Sequence, residues 1–263
     1  MSSNAKEERE MFVVKSNDLI RKSRYNLTLQ QQRIVLYAIS KIKPSDTVLK
    51  EYEFKIADFC RACGITMDAP GYYYETIKND FLELINRSWI QLTDGTEMTI
   101  SWIGDAKIKK YDGTISLRFN PNMEPYLFEL KERYTQYKLE NVLCFSSTIS
   151  IRLYELLRSY TTQDLIDNGI ERTKLFTLNE LRSYLNLEDK YPIWADFDRY
   201  VLRKSKEEIN KKSGDISISY KPIKNGRRIE SVEFSISGSQ FYDYLVAKRE
   251  KEKRFNKTAA KRA

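Results

Sequence analysis

The sequence has no histidine, only three cysteines, and few glycines and prolines, 9 and 6 in 263 residues. Without histidine, Ser-His-Asp and Cys-His nucleophilic sites, His-ligated zinc, HExxH proteases and His-dependent DNA-nicking centres are excluded. No two glycines have the spacing of GxxxxGK[ST] or GxGxxG, so neither phosphate-binding loop is present. These absences remove most recognisable enzyme classes. We expect a non-enzyme with no cofactor and no metal.

The cysteines form one CxxC pair, Cys60 and Cys63, and a distant single residue, Cys144. A structural zinc site would need a second pair or two histidines. A redox pair is the alternative, but Cys60 and Cys63 lie at helical spacing within DFCRACGI, where small thiols commonly pack in a core. We predict core packing for both.

Long apolar runs are also missing. The longest, Ile34 to Ile39, has six residues, whereas a bilayer-spanning helix needs about 18 or more. The segment MSSNAKEERE lacks the basic and apolar parts of a secretory signal. With 41% hydrophobic and 31% charged residues, the composition is typical of a folded globular protein of about two domains. We expect a cytoplasmic protein with no membrane partner.

The net charge of +8 is unevenly distributed. Residues 248–263 hold eight basic and two acidic side chains, and residues 190–228 hold eleven basic and five acidic ones. A cationic stretch within folded sequence favours a phosphate-binding surface, although such stretches also serve solubility. Nucleic acid is therefore the favoured partner. The basic tail is either a phosphate tether or a solvated end.

Periodicity predicts helices first and strands afterwards in the first half. One helix is expected over 16–43, ended by Pro44. A strand over 52–55 precedes a short helix over 56–63 and a longer one over 71–87. Further strands are expected over 89–92, 98–103, 106–110 and 114–119, and further helices over 121–130 and 146–161.

The second half repeats the first. FTLNELRSYLNL, starting at Phe176, matches FKIADFCRACGI, starting at Phe54, at an offset of 122, and the longer helices match at an offset of 124. A short helix, a longer helix and a β-hairpin are the elements of a winged helix. We predict an α+β protein with two tandem winged-helix domains, related by an internal structural repeat. The domains are placed at 1–140 and 141–240, with a basic tail over 241–263.

The longer helix of the second half, expected over 193–211, has an apolar side and a polar side. At 100° per residue, the polar stripe is about 60° wide and contains Arg199, Arg203, Lys206 and Asn210. Arginine can bind guanine O6 and N7, and asparagine can bind adenine N6 and N7. We predict that this stripe recognises bases in the major groove. The alternative is an ordinary solvated face, because Glu207 and Glu208 dilute the charge.

The hairpin after this helix, with strands over 216–220 and 229–236, is expected to bind the DNA backbone. Its loop, placed around an Asn225-Gly226 turn, carries Lys221, Lys224, Arg227 and Arg228. The matching helix of the first half is a poor candidate for base recognition, since its outward positions are Glu75, Thr76, Asn79, Asp80 and Glu83. We expect the first half to serve assembly, and to add backbone contacts through Lys107, Lys109 and Lys110.

Four segments together resemble the initiator Rep proteins of iteron-containing, theta-replicating plasmids: VVKSNDLIRKSRYNLTLQQQRIVLYAISKI, FKIADFCRACGI, YETIKNDFLELINRSWI and NGRRIESVEFSI. The resemblance covers residues 13 to 237. It implies a replication initiator that binds double-stranded DNA at repeated origin sequences, the iterons, as a monomer. Base recognition would fall on the helix around Arg199, Tyr200, Arg203 and Lys206, with Arg227 and Arg228 near the backbone.

The resemblance also implies partners and regulation. Family members form a homodimer through the first domain, in equilibrium with the monomer, and the dimer represses the protein's own gene. Contacts with a host initiator, a helicase and chaperones are expected as well. Two alternatives stay open: a winged-helix transcriptional repressor without a replication role, and a DNA enzyme that uses one of the 18 tyrosines as a nucleophile.

Overall fold

A computed structural model of the chain describes residues 7, 11–43, 45–46, 48–65, 70–85, 88–93, 96–109, 111–128, 130–241 and 243. Within these ranges, no helix combines the length and the apolar character that a membrane crossing requires. The strands of the first half are β1 (Phe12–Ser16), β2 (Ser23–Arg24), β3 (Tyr52–Lys55), β4 (Ser88–Thr93), β5 (Thr96–Ser101), β6 (Ile103–Lys109), β7 (Thr114–Phe119) and β8 (Tyr134–Lys138). Its helices are α1 (Asn17–Lys22), α2 (Leu29–Ile39), α3 (Ile56–Ala62), α4 (Pro70–Ile85), α5 (Glu124–Leu127) after a 3-10 turn, and α6 (Glu140–Leu143).

The second half begins with α7 (Thr148–Arg158) and α8 (Gln163–Asp167). Strand β9 (Arg172–Thr177), helix α9 (Leu178–Leu185) and a long helix, α10, follow. Helix α10 consists of α-helical Trp194–Phe197, a π-helical turn over Asp198–Arg203 and α-helical Lys204–Lys212. The chain then forms the hairpin of β10 (Ile216–Asn225) and β11 (Arg228–Gly238).

Sheet order confirms the internal repeat. In each half a strand, a short helix, a longer helix and a hairpin succeed one another, and the strand pairs with the second strand of the hairpin. The sheets are β3-β7-β6 in the first half and β9-β11-β10 in the second, all antiparallel. The first half adds two further sheets: β1-β8, and β2-β4-β5, of which β4 and β5 lie between α4 and β6 in the chain. The prediction of two winged-helix domains is therefore confirmed.

The single helix predicted over 16–43 is wrong, because the chain divides there into β1, α1, β2 and α2. Strand β2 leaves the helical path to pair with β4. Thr28 then begins α2 with a capping box: its Oγ1 accepts from the Gln31 N–H, and Gln31 Oε1 accepts from the Thr28 N–H, both at 3.1 Å. The sequence TLQQ is typical of a capping box. The apolar periodicity nevertheless continues across the interruption, so periodicity alone predicts one uninterrupted helix.

Helix α7 lies between the two halves, and every residue from Ser150 to Arg158 is buried. The Arg152 guanidinium donates to the Ser23 carbonyl of the first half at 3.1 Å, and to the Tyr184 carbonyl of the second. It also lies between the rings of Tyr25 and Tyr184, 4.1 and 4.5 Å from their centroids. Two buried partners on either side of α7 thus join the halves into one continuous core.

Candidate nucleic-acid interface

Helix α10 is fixed by its apolar side and presents cations on the other. Phe197, Val201, Leu202 and Ile209 are completely buried. On the other side Arg199, Arg203 and Lys204 are exposed, and Lys206 is half-buried. The three cations of the predicted stripe are therefore accessible at least in part.

Asn210, the fourth residue of that stripe, does not lie outward as predicted. Its Nδ2 donates to the Ile218 carbonyl at 2.9 Å, and its Oδ1 accepts from the Ile218 N–H at 2.7 Å. Both polar ends of the amide are thus occupied by the backbone of β10. The π-turn explains the error, because a single 100° wheel does not continue through a turn with more residues.

The exposed cations of α10 contact aromatic and acidic neighbours. The Arg199 guanidinium and the Lys204 ammonium each lie 5.3 Å from the centroid of the Tyr200 ring. Tyr200, 40% exposed, stacks on Tyr191 with centroids 5.9 Å apart. Arg203 pairs with Asp198 at 2.7 Å. The surface therefore combines fixed aromatic faces with donors suited to base edges and phosphates.

The turn between α9 and α10 is held by Arg182, a residue that the sequence pattern did not reveal. Its guanidinium donates to the carbonyls of Lys190 and Tyr191 at 2.6 and 2.5 Å, and lies 4.7 Å from the centroid of the Phe197 ring. Tyr191 has a positive φ of 53°. Arg182 thus fixes the entry into α10. Its position near the end of a short helix gave no signal of this role.

The hairpin β10–β11 carries the other predicted cations. Lys224, Arg227 and Arg228 are exposed, and none of the ion pairs within the described ranges involves them. Lys221 instead pairs with Glu233 at 2.8 Å. The tight turn consists of Gly226 and Arg227, one residue later than predicted, since Asn225 pairs with Arg228. Gly226 has the positive φ that the first position of a II′ turn requires.

The tyrosine-nucleophile alternative finds little support at the buried tyrosines. Tyr137, Tyr154 and Tyr184 are buried, which raises the pKa of each phenol well above its usual value. A phenol that stays protonated is a poor nucleophile. Of the cysteines, Cys60 is buried as predicted, Cys63 is half-buried and Cys144 is exposed. In the part of the chain that the structure describes, no cluster of acids and cysteines resembles a metal site.

Two family models match this chain. One, described as "Initiator Replication protein, WH1", matches residues 12–158, and the other, "Initiator Rep protein, WH2", matches residues 177–236. The chain belongs to the initiator replication protein family. The predicted resemblance to replication initiators is thereby confirmed, and the two models of this family, WH1 and WH2, agree in number and order with the two winged helices of the structure.

Individual initiator proteins are similar over much of the chain. A replication initiation protein of Escherichia coli is 26% identical over 245 residues, which cover 90% of this chain and 73% of that protein. The PI protein of Escherichia coli is 31% identical over 136 residues, which are 47% of this chain and 43% of PI. A crystal structure of the Pi initiator protein in complex with iteron DNA matches with a TM-score of 0.73 and 21% identity, over 88% of this chain and 98% of that chain. The fold is shared.

In this initiator the hairpin of the first half differs from that of the second. Lys107 and Lys109 are exposed, but they pair with Glu51 and Glu53, both at 3.3 Å. Lys110 lies outside the described residues. The helix beside this hairpin, α4, exposes Glu75, Asn79 and Glu83, as the sequence predicted. The positive charge of Lys107 and Lys109 is thus offset by carboxylates.

Proposed function

We propose that this initiator binds repeated origin DNA, the iterons, and recognises the sequence with its second winged helix. The observation that carries the proposal is the cationic surface of α10 and the β10–β11 hairpin, where Lys224, Arg227 and Arg228 are exposed without an acidic partner among the described residues. A protein of the same fold was crystallised with iteron DNA, which supports the same use of the fold here.

In this proposal α10 enters the major groove. Arg199, Arg203 and Lys206 contact base edges, with Tyr200 packed against the adjacent cations, while Lys224, Arg227 and Arg228 bind phosphates. Lys221 contributes less, because Glu233 neutralises it. Since each neutralised phosphate releases counterions, binding should weaken steeply with salt. Asn210 has no role in this interface.

Origin opening would follow from binding energy. No phosphate-binding loop for ATP occurs in the sequence, so several initiators on adjacent repeats must bend the duplex and stabilise a melted region. Bending a short site costs about 1–6 kcal/mol, which multiple phosphate contacts can offset. A host initiator, a helicase and chaperones would then act on the opened origin.

The first domain, proposed at 1–140, would serve assembly. It would form the dimer that represses the initiator's own gene, and add backbone contacts through Lys107, Lys109 and Lys110. The predicted junction near 140 stays a prediction: the first family model extends to residue 158 and the second begins at 177. The predicted basic tail, 241–263, lies outside the described residues except for 241 and 243.

Footprinting tests this function. The purified chain is titrated against duplex DNA flanking its gene, at two salt concentrations, beside the triple variant R199A/R203A/K206A. The control K22A/K50A/K138A removes the same charge from lysines that pair with Asp18, Asp46 and Glu140 in the first half. We expect regularly spaced protection that the first variant loses and the control keeps.

Other outcomes would contradict the proposal in different ways. One isolated protected palindrome would indicate a repressor, which a plasmid-maintenance assay then separates from an initiator, because losing the gene abolishes replication only in the initiator. Equal binding by the R199A/R203A/K206A variant and the wild type would mean that α10 does not recognise DNA.

A further inference from the structure

Asp198 begins the π-turn of α10 and lies between this helix and the hairpin. Its Oδ2 accepts a hydrogen bond from Arg203 Nη2 at 2.7 Å, and its Oδ1 accepts one from the Tyr220 hydroxyl at 2.6 Å. The Asp198 side chain is 17% exposed, whereas that of Arg203 is 60% exposed. One largely buried carboxylate thus joins an outward cation of α10 to strand β10.

The π-turn makes this pair possible. Asp198 and Arg203 are five residues apart, a spacing that a regular α-helix places about 140° apart around its axis. A turn with i→i+5 hydrogen bonding brings the two side chains to one side of the helix. Such turns occur frequently at functional sites. Here the turn aligns an acid with a residue that is proposed to bind DNA.

Tyr220 is itself held by the core. It pairs with Phe234 on the neighbouring strand β11, and the two ring centroids are 5.8 Å apart. Phe234 is completely buried. The phenol is protonated at neutral pH and donates this hydrogen bond, and burial and the Asp198 carboxylate raise the pKa of Tyr220 further. The Asp198 carboxylate is therefore held by a tyrosine that is itself fixed against the core.

We propose that Asp198 is a positioning residue that orients Arg203 for one guanine contact, and thereby sets the specificity at that base pair. This inference rests on the proposed function of α10. Arginine binds guanine through two parallel N–H groups, so the guanidinium plane must have one orientation. Asp198 accepts from one of the five N–H donors of Arg203, so other donors of the guanidinium remain for a base. A side chain already held in place loses less entropy when it binds.

A surface ion pair without a positioning role predicts the opposite result. Asp198 is then only a negative charge close to DNA, so its removal strengthens binding to every sequence. Positioning predicts that removing Asp198 weakens binding to the specific site while binding to unrelated DNA is unchanged or stronger. The ratio of specific to nonspecific affinity therefore separates the two explanations.

The experiment uses full-length variants D198N, Y220F, R203A and D198N/R203A, with E207Q as a charge-matched control. Glu207 is exposed on the same helix, so E207Q removes the same charge as D198N and leaves Asp198 and Arg203 unchanged. Y220F keeps the charge of Asp198 and removes the hydroxyl that anchors it, which also lies close to the Arg203 guanidinium. Fluorescence anisotropy gives the Kd for a duplex with the footprinted repeat, for single-base-pair substitutions of that duplex, and for a scrambled duplex.

We expect D198N to lower the affinity ratio about tenfold, through weaker discrimination at one G·C pair. Y220F should lower it about threefold at the same base pair, since the carboxylate keeps its charge but not its position. E207Q should leave the ratio unchanged. In R203A the ratio is already low, and adding D198N should lower it no further, because coupled residues are not additive.

An unchanged or higher ratio in D198N overturns the positioning role. So does a full additional loss when D198N is combined with R203A, because Asp198 would then act independently of Arg203. If D198N folds too poorly for binding measurements, the ratio of Y220F decides, since this variant lacks one hydroxyl only. If R203A keeps full specificity, Arg203 makes no base contact and the inference fails, whereas the proposed function of α10 fails only if R199A/R203A/K206A also binds as the wild type does.

Discussion

Helices α4 and α10 hold equivalent places in the repeat and carry opposite charge on their outer sides. The exposed side of α4 includes Glu75 and Glu83, whereas that of α10 includes Arg199, Arg203 and Lys204. Their inner sides are equally apolar: Ile77 and Phe81 are buried in one, Val201 and Ile209 in the other. Burial fixes the inner residues of a duplicated fold, while the outer ones can vary and determine its function.

The two hairpins differ in the same direction. In β6–β7, the lysines at 107 and 109 pair with carboxylates from β3 or beside it. In β10–β11, the cations at the tip extend beyond the third strand of the sheet, since β9 pairs only with residues 231–236. A cation without a nearby carboxylate keeps its full attraction for phosphate. This difference favours the second half as the part that recognises DNA.

The largest expected effect comes from reversing the charge of α10. Arg203→Glu should weaken binding to the footprinted repeat at least about 100-fold, since it removes a base contact and adds repulsion. Asn79→Glu, at an exposed position of α4, should change the Kd less than about twofold. Anisotropy at one fixed salt concentration measures both. A comparable loss in the Asn79 variant would mean that both halves contact the DNA closely.

The hairpins can be compared by salt dependence. Removing Lys224 and Arg228 together should reduce the slope of log K against log salt by about 2, one for each phosphate that is no longer neutralised. Removing Lys107 and Lys109 should reduce it by less than half of that, because Glu51 and Glu53 already offset them. Kd measurements at four salt concentrations give the slopes. Equal reductions of the slope in the two variants would mean that both hairpins contact the DNA backbone to the same extent.

Stability should depend on pH through Glu208 of α10. Burial disfavours its charged form, but hydrogen bonds from Lys212 and the Ser146 N–H outweigh this and hold its pKa below the usual value. A lowered pKa stabilises the fold above the unfolded pKa, and the contribution is lost as the pH falls through the folded pKa. Glu208→Gln should therefore cost about 1 kcal/mol at pH 7 and progressively less as the pH falls below the unfolded pKa, measured by urea unfolding at a series of pH values.

Asp80 of α4 should show the opposite sign and the smallest effect. Burial, followed by the neighbouring Glu83, raises its pKa, so its ionised form destabilises the fold above the folded pKa and the cost disappears below the unfolded one. Asp80→Asn should raise the free energy of unfolding at pH 7 by about 0.5 kcal/mol or less, since the group is partly solvated. The same urea series measures it, and a loss of stability at pH 7 would contradict the assignment.

How much was predictable depends on the range of the interactions involved. The buried positions Ile77, Phe81 and Leu84 of α4 follow from periodicity within one helix, and the repeat follows from matching two segments of the same chain. The orientation of Asn210 could not be predicted in this way, because it depends on a π-turn earlier in the helix and on the backbone of Ile218 on strand β10. Helical geometry extrapolated at constant pitch fails where the pitch changes.

The residues that hold the candidate site in place also could not be predicted from local sequence patterns. Arg182 fixes the turn before α10 through carbonyl groups, which any sequence supplies and which leave no trace in residue types. By residue type, Asp198 is only one of the acidic residues in 190–228. In the fold, its two partners are a cation on the next turn of the helix and a phenol on β10. Residue type indicates which cations could bind DNA, and this stays a prediction, whereas the groups that orient these cations are visible only in the tertiary structure.

Helix α7 has a consequence for how the molecule unfolds. Because Arg152 is held by carbonyl groups from both halves, and the surrounding residues of α7 are buried on all sides, a cut on either side of this helix would leave a newly wetted apolar surface on one fragment. We therefore expect the two winged helices to unfold together, with loss of packing in one transmitted to the other. Two similar parts would then have one common stability, because α7 belongs to the core of both.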